Sequence, residues 1–242
     1  MIYINTIKNI KPIEERNIYP YNIPSIARLE ELYFRKSVTY VVGENGSGKS
    51  TLIEAIAINA GFNAEGGTRN FNFTTQDSHS SLFNDLKLIR SAYREKDGFF
   101  LRAESFYNVA SEIDELYKFE KYKRDKNYGG SMHECSHGES FLALVKNRFS
   151  GNGLYIFDEP ESALSLANQL TLMLLIKELV DKISQFIIAT HSPILMAYPD
   201  ADIYSVSDEG LKLVQYEDTE QYKMTKYFIN NYQRMISDLG FH

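Results

Sequence analysis

Short apolar runs alternate with longer amphipathic segments along this 242-residue chain. The short runs are rich in β-branched and aromatic residues, which is typical of strands. The predicted strands are Ile2–Ile7, Ser37–Val42, Phe71–Gln76, Phe99–Glu104, Leu154–Phe157 and Gln185–Ala189, with a hairpin over Ala201–Val206 and Leu211–Tyr216. Helical spacing of apolar residues predicts helices over Thr51–Ala60, Ser78–Arg94, Ser105–Arg124, Glu139–Phe149, Ser165–Lys182 and Thr219–Leu239. This alternation indicates an α/β fold with a mostly parallel central sheet.

A glycine-rich turn joins the second predicted strand to the first predicted helix and reads G-x-x-x-x-G-K-S. Its residues are Gly43, Glu44, Asn45, Gly46, Ser47, Gly48, Lys49, Ser50 and Thr51. Glycines let backbone N–H groups close around phosphate oxygens, and the helix N-terminus adds partial positive charge. Lys49 would reach the β- and γ-phosphates, and the Ser50 hydroxyl would ligate Mg²⁺. The pattern therefore predicts a site for ATP and Mg²⁺.

Two carboxylates follow the apolar strand Leu154–Phe157, in the Walker-B arrangement. The first, Asp158, would hold Mg²⁺ through water, and the second, Glu159, would polarise the attacking water as general base. An acidic pair at the end of a strand is weak evidence when it stands alone. Placed after a P-loop, it indicates that the bound ATP is hydrolysed.

Two further motifs decide the class of ATPase. Ser136-His137-Gly138-Glu139 opens a predicted helix, and Thr190-His191-Ser192 follows the strand Gln185–Ala189. Here the chain resembles the ABC-class ATPases. Ser136–Glu139 looks like their signature loop, with His137 and Glu139 in place of the commoner Gly and Gln. His191 matches their switch histidine. Ser162–Ser165 resembles their D-loop, although Ser165 stands where many members carry Asp.

The resemblance covers most of residues 37–193 and implies an architecture and a mechanism. It implies a nucleotide-binding core of residues 1–76 and 136–242, and a helical lobe of residues 77–135 that leads to the signature loop. Lys49, Glu159 and His191 would act in catalysis. Ser136, Gly138 and Glu139 of a second subunit would complete the nucleotide site, so that ATP is sandwiched in a homodimer.

The sequence does not decide which residues fill two of the roles expected at the site. Gln76 is the glutamine between the P-loop and the signature loop, so the resemblance suggests it as a contact for Mg²⁺ and the lytic water, with Asn72 and Asp77 as alternatives. Tyr19 or Tyr21 could stack on adenine, but aromatic residues at such positions are more often part of the core.

Composition limits the partners. The net charge of −6 argues against a chain that binds nucleic acid through its overall charge. A basic segment, Lys118–Lys126, could contact nucleic acid or another partner, but a solvated helix end is the simpler interpretation. Met1–Asn17 lacks the apolar core of a signal peptide, and the apolar run Leu170–Ile176 is too short to span a bilayer. With the lone Cys135, these features predict a cytoplasmic protein without direct membrane insertion.

Within the ABC class, Asp158–Ser165 and Ala189–Leu195 look like the soluble predicted ATPases related to the RecF, OLD and SMC branch. Phe99–Phe106 and Gly66–Phe71 resemble a compact, stand-alone group of AAA-type ATPases within it. The chain has no long heptad arms. Three functions are therefore compatible with the sequence. The chain could be a stand-alone ATPase that acts on a macromolecule in DNA maintenance or defence, the ATP-binding subunit of an ABC transporter, or a non-hydrolysing ATP sensor.

Overall fold

A computed structural model describes residues 1–69, 80–117 and 137–241, together with Glu120, Tyr122, Asp125, Tyr128 and Gly130. A six-stranded sheet crosses the described part of the chain in the order β5-β6-β7-β3-β8-β9. Its strands are β3 (Val38–Gly43), β5 (Asp97–Arg102), β6 (Gly153–Asp158), β7 (Gln185–Ala189), β8 (Ala201–Ser207) and β9 (Gly210–Val214). Neighbouring strands are parallel, except that β9 runs antiparallel to β8 as a hairpin. The predicted α/β fold and its mostly parallel sheet are confirmed.

Helices cover this sheet on both faces. They are α1 (Pro24–Ala27), α2 (Lys49–Asn59), α3 (Leu82–Asp85), α4 (Phe106–Leu116), α5 (His137–Arg148), α6 (Leu166–Asp181), α7 (Pro193–Met196) and α8 (Glu220–Asp238). Successive residues of a strand point to opposite faces. Tyr155 and Phe157 of β6 accordingly enter one hydrophobic core, whereas Leu154 and Ile156 enter the other. The strand is buried along its whole length, which explains its continuous apolar sequence.

A second, three-stranded sheet has the order β2-β1-β4 and is antiparallel. Its strands are β1 (Ile4–Asn9), β2 (Glu31–Tyr33) and β4 (Leu86–Arg90). The predicted helix over Ser78–Arg94 is therefore wrong at β4. Only α3 is helical in this interval among the residues that the structure describes. Pairing of β4 with β1 overrides the helical spacing, because the partner strand supplies its backbone hydrogen bonds.

The boundary between a core and a helical lobe at residues 77–135 stays a prediction. Two elements inside that interval are strands, since β4 belongs to the small sheet and β5 pairs with β6 at the edge of the large one. The helix predicted over Ser105–Arg124 is present as α4. The predicted strand Phe71–Gln76 and the cations of Lys118–Lys126 lie outside the described residues.

The remaining predicted helices and strands of the described ranges are confirmed, with bounds shifted by a few residues. In these ranges, no helix combines the length and the apolar character needed to cross a membrane.

A buried glutamine joins the two sheets. Gln185, on β7, is fully buried, and its Oε1 accepts hydrogen bonds from the backbone N–H groups of Tyr3 (2.7 Å) and Ile4 (2.9 Å). Its Nε2 donates to the Ile4 carbonyl oxygen at 3.0 Å. The side chain therefore fixes the start of β1 on the central sheet.

Replacing this glutamine tests the junction. Gln185→Leu should lower the free energy of unfolding by about 2–4 kcal/mol, because each buried backbone group left unpaired costs about 1–3 kcal/mol. Chemical denaturation measures the change. The exposed Gln233→Leu serves as control and should shift stability by about 0.5 kcal/mol or less. Equal stability of the two variants would contradict a structural role for Gln185.

Candidate functional site

The P-loop wraps the amino end of α2 directly after β3. Gly48 has a φ of 96°, in the left-handed region that favours glycine. A Cβ at Gly43 would lie 2.5 Å from the carbonyl oxygen of Val206, so this position also excludes a side chain. The Ser25 hydroxyl donates to the Ser47 carbonyl oxygen and fixes the loop from outside. The predicted phosphate cradle therefore has the backbone shape that the motif requires.

Lys49 lies inside this loop and is almost completely buried. Its Nζ donates to the Glu44 carbonyl oxygen at 2.8 Å. Burial lowers the pKa of Lys49, and the nearby carboxylates of Glu159 and Asp158 oppose that shift. The ammonium group is thus held beside the turn where a phosphate would bind.

Ser50 and Asp158 lie in contact, although 108 positions separate them in the sequence. The Ser50 Oγ donates to the Asp158 Oδ1 at 3.0 Å. Burial raises the pKa of Asp158 to about 6, and Arg102 and the Ser50 hydroxyl partly oppose this shift. A hydroxyl and a carboxylate oxygen are ligands that suit Mg²⁺ together with phosphate and water. The donor set therefore fits the predicted metal, and Ser50 and Asp158 would hold it.

Glu159 and His191 face each other at the ends of adjacent strands. The His191 Nε2 lies 3.3 Å from the Glu159 Oε1, and both side chains are about one-third exposed. Glu159 adopts a left-handed backbone with φ 50° and ψ 51°, which is uncommon for a residue other than glycine. Such conformations cluster at functional sites. The Glu161 carboxylate accepts the backbone N–H of His191 and fixes the histidine loop.

The D-loop motif forms a short 3-10 turn, Pro160–Ala163, and Ser165 caps the start of α6 by accepting from the backbone N–H of Asn168 at 3.3 Å. A Cβ at Gly138 would lie 2.8 Å from the Ala163 carbonyl oxygen. The signature helix α5 therefore begins directly against the D-loop. Glycine at position 138 permits this close approach.

The sequence analysis missed Gln169, which connects the D-loop to the histidine loop. Its Nε2 donates to the Leu164 carbonyl oxygen at 3.2 Å, and its Oε1 accepts from the Ser192 hydroxyl at 2.5 Å. A glutamine on the buried side of an otherwise amphipathic helix was the available signal.

Arg102 is a second residue that the motifs did not identify. Its Nη1 lies 2.7 Å from the Glu54 Oε2, and its Nε lies 3.5 Å from the Asp158 Oδ2. Its Nη2 lies 3.6 Å from Glu104. Arg102 ends β5 in register with Asp158, so the pairing of strands brings the two charges together. The available signal was a charged residue directly after the apolar run Phe99–Leu101 of a predicted strand.

The structure does not show where several of the predicted site residues lie. Gln76 and its alternatives Asn72 and Asp77 lie outside the described residues, as does Ser136. Of the two tyrosines considered for adenine, Tyr21 is buried and donates to Asn9 (3.2 Å) and Asp85 (3.1 Å). Tyr21 is therefore part of the core.

Tyr19, in contrast, is 57% exposed, so its side chain can be approached from solvent.

Two cavities open beside the P-loop. They share a wall formed by the amino end of α8, which the sequence did not predict. A cavity of about 520 Å³ lies between Gly43–Ser47, the turn Ser205–Glu209 and the first residues of α8. A second cavity of about 770 Å³ lies between Glu44, Asn45, His191 and α8, where Glu220 and Met224 line it. The amino end of α8 thus lines both cavities beside the P-loop.

Comparison with known proteins agrees with this geometry. A model of the AAA domain family matches residues 6–191. The cbiO1 structure from Clostridium perfringens, part of the ABC transporter complex cbiONQ, has a TM-score of 0.53 and 16% identity over 95% of this chain and 96% of that chain. MJ1267, an ATP-binding cassette of an ABC transporter, has a TM-score of 0.50 and 17% identity over 96% of this chain and 99% of that one.

The SMC head domain from Thermotoga maritima has a TM-score of 0.46 and 18% identity over 88% of this chain and 98% of its own. None of the curated proteins matches this chain. At these identities, the transporter cassettes show a shared fold and do not decide what the chain acts on. With the family match, they confirm the predicted resemblance to ABC-class ATPases.

Measuring the stability of variants tests the contacts of Arg102. Arg102→Met should lower the free energy of unfolding by about 3 kcal/mol, because Glu54 and Asp158 would keep buried charges without their cation. The double variant Arg102→Met/Glu54→Leu should recover part of this loss, since it removes one unpaired carboxylate. Chemical denaturation measures both.

The matched control for this experiment is Arg234→Met, which removes an exposed ion pair with Asp238 and should change stability by about 0.5 kcal/mol or less. If Arg102→Met behaves like the control, Arg102 does not stabilise the two carboxylates.

Proposed function

Because the chain belongs to the AAA domain family and has the fold of ABC-class P-loop ATPases, we propose that it binds and hydrolyses ATP with Mg²⁺. The observation that carries the proposal is the contact between Ser50 and Asp158, with Lys49 on one side and the Glu159–His191 pair on the other. Phosphate cradle, metal ligands and a candidate base thus meet at one edge of the sheet.

The backbone N–H groups of Gly43–Thr51 and the Lys49 ammonium bind the phosphates of ATP. Ser50 and Asp158 would hold Mg²⁺, with Gln76 as a further proposed ligand. When bound, the metal neutralises charge on the phosphate oxygens. Burial of Lys49 and Asp158 strengthens these interactions, because charges interact more strongly where water is excluded.

Glu159 acts as the general base toward the attacking water. His191, whose Nε2 lies 3.3 Å from this carboxylate, would orient it, and it lines the same cavity as Glu44 and Asn45 of the P-loop. Both side chains are about one-third exposed, whereas the His191 Nε2 atom itself is buried. The presence of this pair favours hydrolysis over a sensor that only binds ATP.

Two subunits form the complete site in this proposal. The outer part of the P-loop, Glu44–Gly46, is exposed, which leaves room for a second chain above the phosphates. Ser136, Gly138 and Glu139 at the start of α5 would reach the nucleotide of the other subunit. The direct contact of α5 with the D-loop supports a joint movement of these two motifs.

The proposed setting is the cytoplasm, and the proposed partner of the homodimer is a macromolecule, either protein or nucleic acid. The sequence candidate for this contact is the basic segment Lys118–Lys126. If the chain works without a permease, the purified protein should hydrolyse ATP by itself. A macromolecule that changes this rate in the absence of a permease would favour this function over that of a transporter subunit.

Glu159→Gln tests the proposed base. This variant should bind ATP as tightly as the wild type and hydrolyse it about 10²–10⁴ times more slowly, since general-base catalysis contributes that much. Phosphate release and titration calorimetry measure the two properties. Glu178→Gln, on the exposed side of α6, is the control and should keep full activity. Unchanged hydrolysis by Glu159→Gln would assign the base to another residue.

Mixing two inactive variants tests the composite site. Lys49→Ala should not bind ATP at its own P-loop, and Ser136→Arg should block the signature loop that it offers to its partner. Each variant alone should be inactive. Their mixture should recover up to about a quarter of wild-type activity, because heterodimers keep one intact site and mixed assembly yields about half heterodimers. No recovery at any ratio, with both proteins folded, would indicate that each chain works alone.

A further inference from the structure

The C-terminal helix α8 carries an apolar surface that its own subunit leaves uncovered. None of its 19 residues is buried. The helix bends at Asn231, which has the non-helical backbone angles φ −132° and ψ 19°. Large apolar side chains recur every three or four residues before and after this bend and at Leu239, the residue that caps the helix. They form the C-terminal stripe, which consists of Met224, Phe228, Tyr232, Ile236 and Leu239, with exposed fractions from 38% to 70%.

A different side of α8 faces the rest of the subunit. Tyr222 and Ile229 of α8 line an apolar groove with Leu170 of α6 and Ile194 of α7. The Tyr216 hydroxyl donates to the Pro193 carbonyl oxygen at 2.8 Å and ties the segment before α8 to α7. The residues of α8 that line this groove are therefore different from those of the stripe.

The stripe begins at the nucleotide site. Met224 lines the same cavity as Glu44, Asn45 and His191. Any chain that covers the P-loop from outside therefore lies next to the first residue of the stripe. In the proposed ATP-bound dimer, that chain is the second subunit.

We propose that the C-terminal stripe is part of the dimer interface and packs against a second copy of this chain when ATP is bound. This inference rests on the proposed function, because that function places the second copy over the nucleotide cavity. ATP would then join the subunits at the P-loop, and α8 would supply apolar contact area that the nucleotide itself does not provide.

The size of the stripe agrees with this role. Five large side chains that are about half exposed present roughly 100 Å² each, or about 500 Å² per subunit. A two-fold interface buries the same surface on both subunits, so the stripe contributes about 1,000 Å² in total. This value reaches the lower limit for a specific interface before any contact at the nucleotide is counted.

The charges along α8 favour a protein over a lipid surface or nucleic acid. Lys223 pairs with Asp218 at 3.5 Å, and Arg234 pairs with Asp238 at 3.7 Å. Lys226 lies over the ring of Tyr222. Helices that bind anionic membranes carry many cations on their polar face, whereas the cations of α8 have partners on the same subunit.

The test compares two double variants in a Glu159→Gln background, where ATP is not consumed. Phe228→Glu/Tyr232→Glu places two charges on the stripe. Gln233→Glu/Ser237→Glu places the same two charges at exposed positions of α8 outside the stripe. Sedimentation equilibrium with and without ATP and Mg²⁺ measures dimerisation, and a fluorescent ATP analogue measures binding by the monomer.

We expect the stripe variant to bind the analogue within about twofold of the parent, but to dimerise at least about tenfold more weakly, since two central apolar contacts are lost. The control should dimerise like the parent. If the stripe variant also dimerises like the parent, the stripe lies outside the interface and serves another partner, which overturns this proposal alone. If Glu159→Gln binds ATP and stays monomeric, the dimer of the proposed function is wrong as well.

Hydrogen exchange of the Glu159→Gln protein gives a second readout that does not depend on how the stripe variant folds. The amides of α8 should exchange more slowly when ATP produces the dimer, and the effect should disappear on dilution to monomer. Unchanged exchange along α8 in a sample shown to be dimeric would overturn the proposal.

Discussion

The hydrogen bond between Ser50 and Asp158 is the contact on which the candidate site depends. It joins the first turn of α2 to the end of β6, with β7 between β3 and β6 in the sheet. This contact is possible because the strands are parallel, so that their carboxyl ends meet at one edge. Lys49, Glu159 and His191 lie at the same edge for the same reason.

This edge concentrates charges that would be unfavourable elsewhere in the core. Burial lowers the pKa of Lys49 and raises that of Asp158, because it disfavours the charged form of each. Nearby groups of opposite charge partly oppose both shifts. Arg102 compensates Asp158 and Glu54 together. Glu159 is also held in an uncommon backbone conformation. A site arranged in this way is prepared for ligands that bring opposite charges, such as phosphates and a divalent cation.

The helices at the periphery relate this edge to possible partners. Helix α5 begins on the D-loop, and Gln169 connects the D-loop to the loop that carries His191. Helix α8 closes one wall of the cavities beside the P-loop and carries exposed apolar residues along its length. The candidate site and the exposed apolar residues of α8 are therefore neighbours in space, which agrees with the proposed ATP-dependent association.

Sequence alone determined the local parts of this protein. The spacing of Gly43, Gly48 and Lys49 requires one kind of turn, since only glycine tolerates those backbone approaches, and the apolar runs before Asp158 and Thr190 identify buried strands. Sequence did not determine which segments pair at long range. Leu86–Arg90 has helical spacing yet forms a strand, because β1 supplies its hydrogen bonds.

The neighbours of each charged residue also depended on tertiary structure. Arg102, Glu54 and Asp158 meet only because β5 is in register with β6 and α2 lies across the sheet. Likewise, the sequence predicted a helix over Thr219–Leu239, but only the fold shows that none of the residues of α8 is buried and that its first turns line a cavity beside the P-loop. Patterns along the chain reflect local geometry, whereas pairing and exposure depend on how distant segments pack.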